Sequence, residues 1–225
     1  MKAISFTQHG LPIDDPRSLI DVNIDAPQPG PRDLLVEVQA VAVNPVDTKV
    51  RAGTFAKEPK ILGWDAAGIV RQVGADVTLF QPGDAVYYAG SLIRAGSYSE
   101  FQVVDERIVG HRPRTLDAAH AAALPLTSIT AWELLFDRLG VTEGGGEGEV
   151  LLVVGAAGGV GSILVQLARQ LTRMTVIGTA SRPETIEWGQ RRGAHHVIDH
   201  RRPMLAQLQA LGVDGVSHVA SLTHT

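Results

Sequence analysis

Residues 150–168, VLLVVGAAGGVGSILVQLA, limit the fold of this 225-residue chain more than any other stretch. Five strand-forming apolar residues, Val150–Val154, run straight into a glycine-rich turn. The turn opens into an amphipathic helix, with Ile163, Leu164, Leu167 and Ala168 at helical spacing. A strand, a glycine turn and a helix in that order set backbone N–H groups at a helix N-terminus. The helix dipole there favours an anion such as a pyrophosphate. The run is uncharged over 19 residues, yet its four glycines and its change of period mark a buried βα unit, not a membrane span.

Downstream the alternation continues. Strands are expected at Val150–Val154, Thr175–Thr179, His196–Ile198 and 216–220, with helices at 160–171, 182–192 and 203–211. This βαβαβαβ order implies a doubly wound parallel sheet. Upstream the chain reads as β-rich, with short strands at 1–6, 33–43, 66–73, 85–88 and 101–104 separated by Gly and Pro turns, as in a barrel or sandwich. Asn44-Pro45 reads as a strand stop. Residues 116–124 form an alanine-rich helix that stops at Pro125, and Ile129, Trp132, Leu135, Phe136 and Leu139 make a second helical stripe. The fold class is therefore α/β, with a β-rich domain over 1–125 and a dinucleotide-binding domain over 126–225. Residues 142–149 hold four glycines and three glutamates; the carboxylates repel phosphate, so this loop reads as a flexible connector.

A net charge of −4 gives no reason to expect nucleic acid or a membrane surface as partner. The chain has no cysteine, which removes disulfides, thiolate metal sites and a cysteine nucleophile. MKAISF has no charged start followed by a long apolar run, so no signal peptide is expected and the location reads as cytoplasmic.

Within the turn the spacing is Ala156-x-Gly158-x-x-Gly161, with alanine at the first glycine position of the usual fingerprint. Gly158 lets the backbone approach a pyrophosphate, Gly161 allows tight packing, and Gly159 and Val160 belong to the same cradle. No Lys-Ser/Thr follows, so the P-loop pattern fails. The second strand ends at Thr179-Ala180-Ser181-Arg182, without the acid that holds a ribose 2′-hydroxyl. A hydroxyl and a guanidinium suit a 2′-phosphate, so NADPH is expected over NADH. Ser181-x-x-Glu184 also has the form of a capping box for the next helix.

With these segments in hand, the chain resembles the medium-chain dehydrogenase/reductase superfamily, and most of all its zinc-independent quinone oxidoreductase branch. Val43-Asn44-Pro45-Val46-Asp47 is similar to that branch's nicotinamide-side segment. Gly63-Trp64-Asp65-Ala66-Ala67-Gly68 takes the place of the Gly-His-Glu-x-x-Gly segment of zinc alcohol dehydrogenases. Gly83-Asp84-Ala85-Val86, Gly96-Ser97-Tyr98-Ser99-Glu100-Phe101 and Leu124-Pro125-Leu126-Thr127 match further family signatures. The resemblance implies an N-terminal GroES-like catalytic domain and a Rossmann domain, with the active site in the cleft between them. It places Asn44 and Pro45 at the nicotinamide and Thr127 at the cofactor, and makes Asn44, Lys49 and Asp65 the catalytic candidates. Lys49 stands in the region where the branch often carries a tyrosine. With Trp64 in place of the histidine and no cysteine, no catalytic zinc is expected. The family normally continues for another hundred residues or so, which implies a Rossmann sheet truncated after its fourth strand and a homodimer when full length.

The other constellations carry less. His195, His196 and His200 lack a completing ligand set and read as surface histidines, and Tyr87, Tyr88 and Tyr98 read as core or rim packing. No Gly-x-Ser-x-Gly elbow supports a hydrolase. The expected activity is an NADPH-dependent reductase that passes hydride to a small-molecule quinone or α,β-unsaturated carbonyl without zinc. The alternatives are a zinc-type alcohol dehydrogenase and a non-catalytic NADPH-binding redox sensor.

Overall fold

The structure is a computed structural model and describes residues 1–53 and 60–223. The chain divides into two compact units, Met1–Leu126 and Thr127–Thr225.

The first unit is built on two antiparallel sheets. One holds β1 (Lys2–Phe6), β2 (Ile20–Asn23) and β4 (Lys60–Ile61), in the order β2-β1-β4. The other holds β3 (Asp33–Ala42), β5 (Asp65–Val73), β6 (Ala85–Ala89), β7 (Phe101–Asp105) and β8 (Val109–His111), in the order β7-β3-β5-β6-β8. Alternation along these strands puts Leu34, Val36, Val70, Val86, Tyr88 and Val104 in one buried cluster. The short strands β2, β4 and β8 are too brief for a period of two to show in sequence. Between β3 and β5 lies a helix, α1 (Pro45–Gly53), where the sequence had suggested only a strand stop. Pro45 ends the strand by beginning a helix, since its missing N–H costs nothing in a first turn. Two further helices close the unit and open the next: α2 (Ala118–Ala122) and α3 (Pro125–Trp132). The second helical stripe continues α3 as a π-helical turn over Glu133–Arg138.

Buried within the first unit, the Glu106 carboxylate accepts N–H bonds from Thr78 and Leu79, each at 2.9 Å, and one from Arg32 at 2.8 Å. The backbone N–H of Leu79, then that of Thr78, and the Arg32 guanidinium lower its pKa below the usual 4.5. A depressed carboxylate contributes stability that is present above its unfolded value and is lost as pH falls through the folded one. Glu106→Gln is therefore expected to unfold at lower urea than the parent near neutral pH, with the gap closing as pH drops below 4.5. A gap that stays constant across that range counts against this account.

The second unit carries a parallel sheet of β9 (Val150–Val154), β10 (Thr175–Thr179), β11 (His196–Ile198) and β12 (His218–Ser221), in the order β11-β10-β9-β12. The helices are α4 (Gly159–Leu171), α5 (Pro183–Arg191) and α6 (Met204–Ala210). Leu151, Val153, Leu164, Val165, Ala168 and Val176 are buried on one face of the sheet, and Leu152, Ile177, Ile198 and Leu208 on the other. Both faces are covered at the central strands β9 and β10, so these are mostly apolar, which is why their limits could be read from the sequence. Strand order reverses at β9, between β10 and β12, and ligands of such sheets bind beyond the strand ends at that switch. The glycine loop at 142–149 is tied down. Gly144 N–H bonds to the Leu171 carbonyl and Arg173 N–H to the Gly145 carbonyl, each at 2.7 Å. Among the described residues no helix is long and apolar enough to cross a membrane.

Candidate active site

The glycine turn follows β9 at the switch point. Gly155 adopts φ +84°, which a side chain there would resist. Its N–H donates to Thr179 Oγ1 at 3.1 Å, and Ala156 N–H donates to the Thr179 carbonyl at 3.2 Å. Gly158 N–H closes the turn on the Gly155 carbonyl at 3.0 Å. Ala156 is fully buried, and Gly178 on β10 makes room for it: a Cβ at 178 would lie 2.8 Å from the Ala156 methyl. The departure from the usual glycine is thus matched on the neighbouring strand, a compensation two segments away that a motif search does not see. Gly161 is needed for close approach, since a Cβ there would lie 2.4 Å from the Gly155 carbonyl oxygen.

Gly158 caps α4 in an extended conformation and brings no side chain to the free N–H groups of the first turn. Gly158 and Gly159 are exposed, and Val160 is half-buried. A Cβ on Gly158 would meet only the Gly155 oxygen, at 3.4 Å, so the space above the helix start is open. An exposed helix N-terminus that no side chain caps among the described residues fits a pyrophosphate. Thr127, in the first turn of α3, sets its methyl 3.1 Å from where a Gly159 Cβ would be, so it borders the same helix start. Thr223, just past β12, borders Gly155 in the same way and was not singled out in the sequence.

At the end of β10 the geometry differs by one residue from the sequence expectation. Arg182, not Ser181, caps α5, and the reciprocal partner is Thr185, whose hydroxyl accepts the Arg182 N–H at 3.2 Å. Pro183 fixes this register by occupying the first helical position. The capping box Ser181-x-x-Glu184 does not form; Glu184 pairs with the Arg182 guanidinium at 3.1 Å, both side chains exposed. Ser181 is free of the capping role and half-buried, and its carbonyl accepts a bond from Arg201. Arg201 therefore adds a guanidinium to the end of β10 that sequence spacing could not place there. It comes from the loop after β11, which pairs with β10.

A second cluster sits in the first unit, at the start of α1. Register pairs Ala42 on β3 with Asp65 on β5, so Asn44, two residues later, comes beside Asp65. The Asn44 amide donates to Asp65 Oδ2 at 2.9 Å, and Leu126 N–H donates to Asp65 Oδ1 at 2.8 Å. Asp65 is fully buried. Burial pushes its pKa up to about 6 against the pull of those two donors, and the nearby Asp47 carboxylate adds to the rise. Asp47, 3% exposed, accepts N–H bonds from Asn44 at 2.8 Å and from Gly63 at 3.0 Å. Its bond to Asn44 is the N3-to-cap half of a capping box. The Asn-x-x-Asp spacing was the available signal for Asp47.

Gly96 and Ser97 lie against Ile61 and Gly63 through N–H bonds of 3.0 Å, bringing two of the motifs together. Trp64 is buried, and its Nε1 has no hydrogen-bond partner among the described residues; the same holds for the Tyr98 hydroxyl. Burial, followed by the Asp47 carboxylate, raises the Tyr98 pKa. Pro45 and Lys49 are exposed on α1. His195 is exposed and accepts the Val176 N–H at 2.8 Å.

The donor set does not fit a zinc site. Asp65 has both oxygens committed, Trp64 offers no ligand atom, and no group of three or more His, Cys, Asp or Glu among the described residues is placed to hold a metal.

An antiparallel unit that carries this cluster and a parallel unit with a glycine turn at its switch point are the two parts of a GroES-like plus Rossmann architecture. Residues 30–114 match the alcohol dehydrogenase GroES-like domain. A zinc-type alcohol dehydrogenase-like protein of Staphylococcus epidermidis is 41% identical over 221 residues, covering 97% of this chain and 65% of that protein. A Rhizobium etli protein, provisionally named a zinc-dependent alcohol dehydrogenase, has a crystal structure that superposes with a TM-score of 0.93 at 56% identity; the match covers all of this chain and 66% of that one. The Escherichia coli quinone oxidoreductase, solved in complex with NADPH, gives a TM-score of 0.79 at 30% identity over 94% of this chain and 63% of that one. The chain belongs to the medium-chain dehydrogenase/reductase superfamily, in its quinone oxidoreductase-like branch. It spans about two thirds of the length of these relatives.

Proposed function

We propose that the protein is an NADPH-dependent reductase that passes hydride to a quinone or an α,β-unsaturated carbonyl without catalytic zinc. The observation that carries this reading is the open helix start at Gly158–Gly161: donors without a cap, at the switch point of the sheet. The E. coli relative solved with NADPH supports the choice of cofactor. Bound NADPH supplies two electrons as hydride, and with one proton a quinone becomes a hydroquinone and NADP⁺ is left. A quinone needs no metal for this, because the charge that develops on oxygen is delocalised.

The chain's own residues bind and orient. The N–H groups at Gly159, Val160 and Gly161 take the pyrophosphate, with Ala156 and Gly158 shaping the turn, and Thr127 flanks the helix start. Ser181 and Arg182, with Arg201 alongside, take the 2′-phosphate. Asn44 and Pro45 take the nicotinamide side, and Lys49 is a substrate contact. The lack of cysteine, the indole at Trp64 and the committed oxygens of Asp65 support a zinc-free reaction.

The test begins with titration of the 225-residue chain with NADPH and NADH. Arg182→Ala is expected to weaken NADPH about tenfold, the lower end for an exposed charge-assisted contact, and to leave NADH unchanged. The Glu184 pair does not prevent this, since an exposed pair is worth about 1 kcal/mol or less. Equal loss for both nucleotides, or none for either, removes the 2′-phosphate role. NADPH oxidation is then followed with a quinone, an enone and an aldehyde, with and without chelator. Tight binding without turnover means a redox sensor, and chelator-sensitive aldehyde reduction means a zinc alcohol dehydrogenase.

A further inference from the structure

Asn44 is a polar side chain whose direction is dictated by its neighbour. Its Nδ2 donates to Asp65 Oδ2 at 2.9 Å and, weakly, to the Ala42 carbonyl at 3.5 Å. An ionised carboxylate only accepts, so this contact decides which end of the amide points inward. Nitrogen faces Asp65, and the amide oxygen is left for other partners. Asp65 is itself held hard. It is fully buried, Leu126 N–H takes its second oxygen, and the Ser97 hydroxyl donates to its backbone carbonyl at 3.4 Å. Its backbone lies in β5 between Ala42 of β3 and Ala89 of β6. Asp47 fixes the other end of Asn44 by accepting its backbone N–H. Among the described residues, Asn44 and Leu126 thus hold both carboxylate oxygens of Asp65.

We propose that Asp65 is a positioning residue that locks the Asn44 amide with its oxygen outward, so that Asn44 serves as an acceptor for a hydroxyl or carboxamide donor on the nicotinamide half of the bound cofactor. This rests on the NADPH reading above. It gives the two residues separate roles. Asp65 acts through Asn44, and Asn44 serves as an acceptor, because the amide nitrogen faces Asp65. A carboxylate does this better than an amide would. Asn at 65 can flip, whereas an ionised Asp permits one orientation only. Among the described residues Asp47 is the charged group that acts on Asp65, and it raises the affinity of Asp65 for a proton. A protonated Asp65 no longer accepts at both oxygens, so the lock weakens below about pH 6.

Two measurements test this on the 225-residue chain. The first follows the Asn44 side-chain amide by 15N NMR, identified by its loss in Asn44→Ala. Its shift is expected to titrate with a midpoint near pH 6 and to stop titrating in Asp65→Asn. The second compares NADPH with 2′,5′-ADP, which lacks the nicotinamide half. Asp65→Asn is expected to weaken NADPH about tenfold and to leave 2′,5′-ADP unchanged. A purely structural role leaves the Asn44 amide blind to pH, and that outcome overturns the proposal, as does unchanged NADPH affinity or equal weakening of both ligands. If Asp65→Asn does not fold, Asn44→Ala carries the same comparison and must show the same selective loss. If the parent chain binds 2′,5′-ADP and NADPH equally, Asn44 makes no nicotinamide contact and the proposal falls while the cofactor reading stands. If it binds neither, the cofactor reading falls, and the NMR titration still reports whether Asp65 holds Asn44.

Discussion

Gly161→Val is expected to raise the NADPH dissociation constant at least about a hundredfold and to lower the urea midpoint of the chain. A Cβ at 161 would lie 2.4 Å from the Gly155 oxygen, 2.8 Å from Ala156 Cα and 2.9 Å from the Ala156 carbonyl carbon. All three are backbone atoms, and the turn that holds them is pinned to Thr179 through the N–H groups of Gly155 and Ala156. No side chain can rotate away, so α4 must move off the turn. Overpacking of this kind costs about 1–3 kcal/mol. A shift of α4 also carries away the N–H groups meant for the pyrophosphate, which is the larger loss for binding. Gly158→Ala is the matching control. Its added methyl meets only the Gly155 oxygen at 3.4 Å, and its φ of −74° suits alanine. The urea midpoint should hardly change, while a ligand that lies on the turn should bind more weakly. Unaltered NADPH binding in Gly161→Val would sink the assignment of this turn.

Asp47→Ala is expected to destabilise the chain by about 2–6 kcal/mol, because it strands the buried N–H groups of Asn44 and Gly63, each costing about 1–3 kcal/mol. Asp47→Asn keeps one acceptor and should lose about half as much. Both effects are read from urea unfolding with the slope checked for constancy. A change under about 0.5 kcal/mol for the alanine variant, the range of ordinary surface substitutions, refutes the bracing role. The same carboxylate joins the start of α1 to the segment before β5. Its loss should therefore also disturb Asn44, and the Asn44 amide signal gives an independent readout.

How much could be read in advance followed from how local each feature was. β9, β10 and β11 have the limits that their apolar runs suggested, since both faces of a parallel sheet are buried and composition alone marks the strand. β12 begins two residues later than expected, at His218. In the first unit the longer strands were legible from alternation, whereas β2, β4 and β8 were not, because two to four residues cannot establish a period. α1 was missed at Asn44-Pro45, where the same proline that ends a strand also suits a helix start. At Ser181 the motif pattern was satisfied in sequence and overridden in space, as Pro183 set the helix one residue later.

The glycine turn shows the division most clearly. Its place between strand and helix, its spacing and its likeness to a dinucleotide cradle are properties of consecutive residues, and the sequence alone determined them. That Ala156 is tolerated because Gly178 vacates its space depended on the parallel pairing of β9 with β10. That Arg201 reaches the Ser181 carbonyl depended on the pairing of β10 with β11. The antiparallel register of β3 on β5 likewise brought Asn44 to Asp65, 21 residues away in the chain. These contacts join residues that backbone hydrogen bonding between separate strands brings together, and no spacing along the chain encodes that pairing.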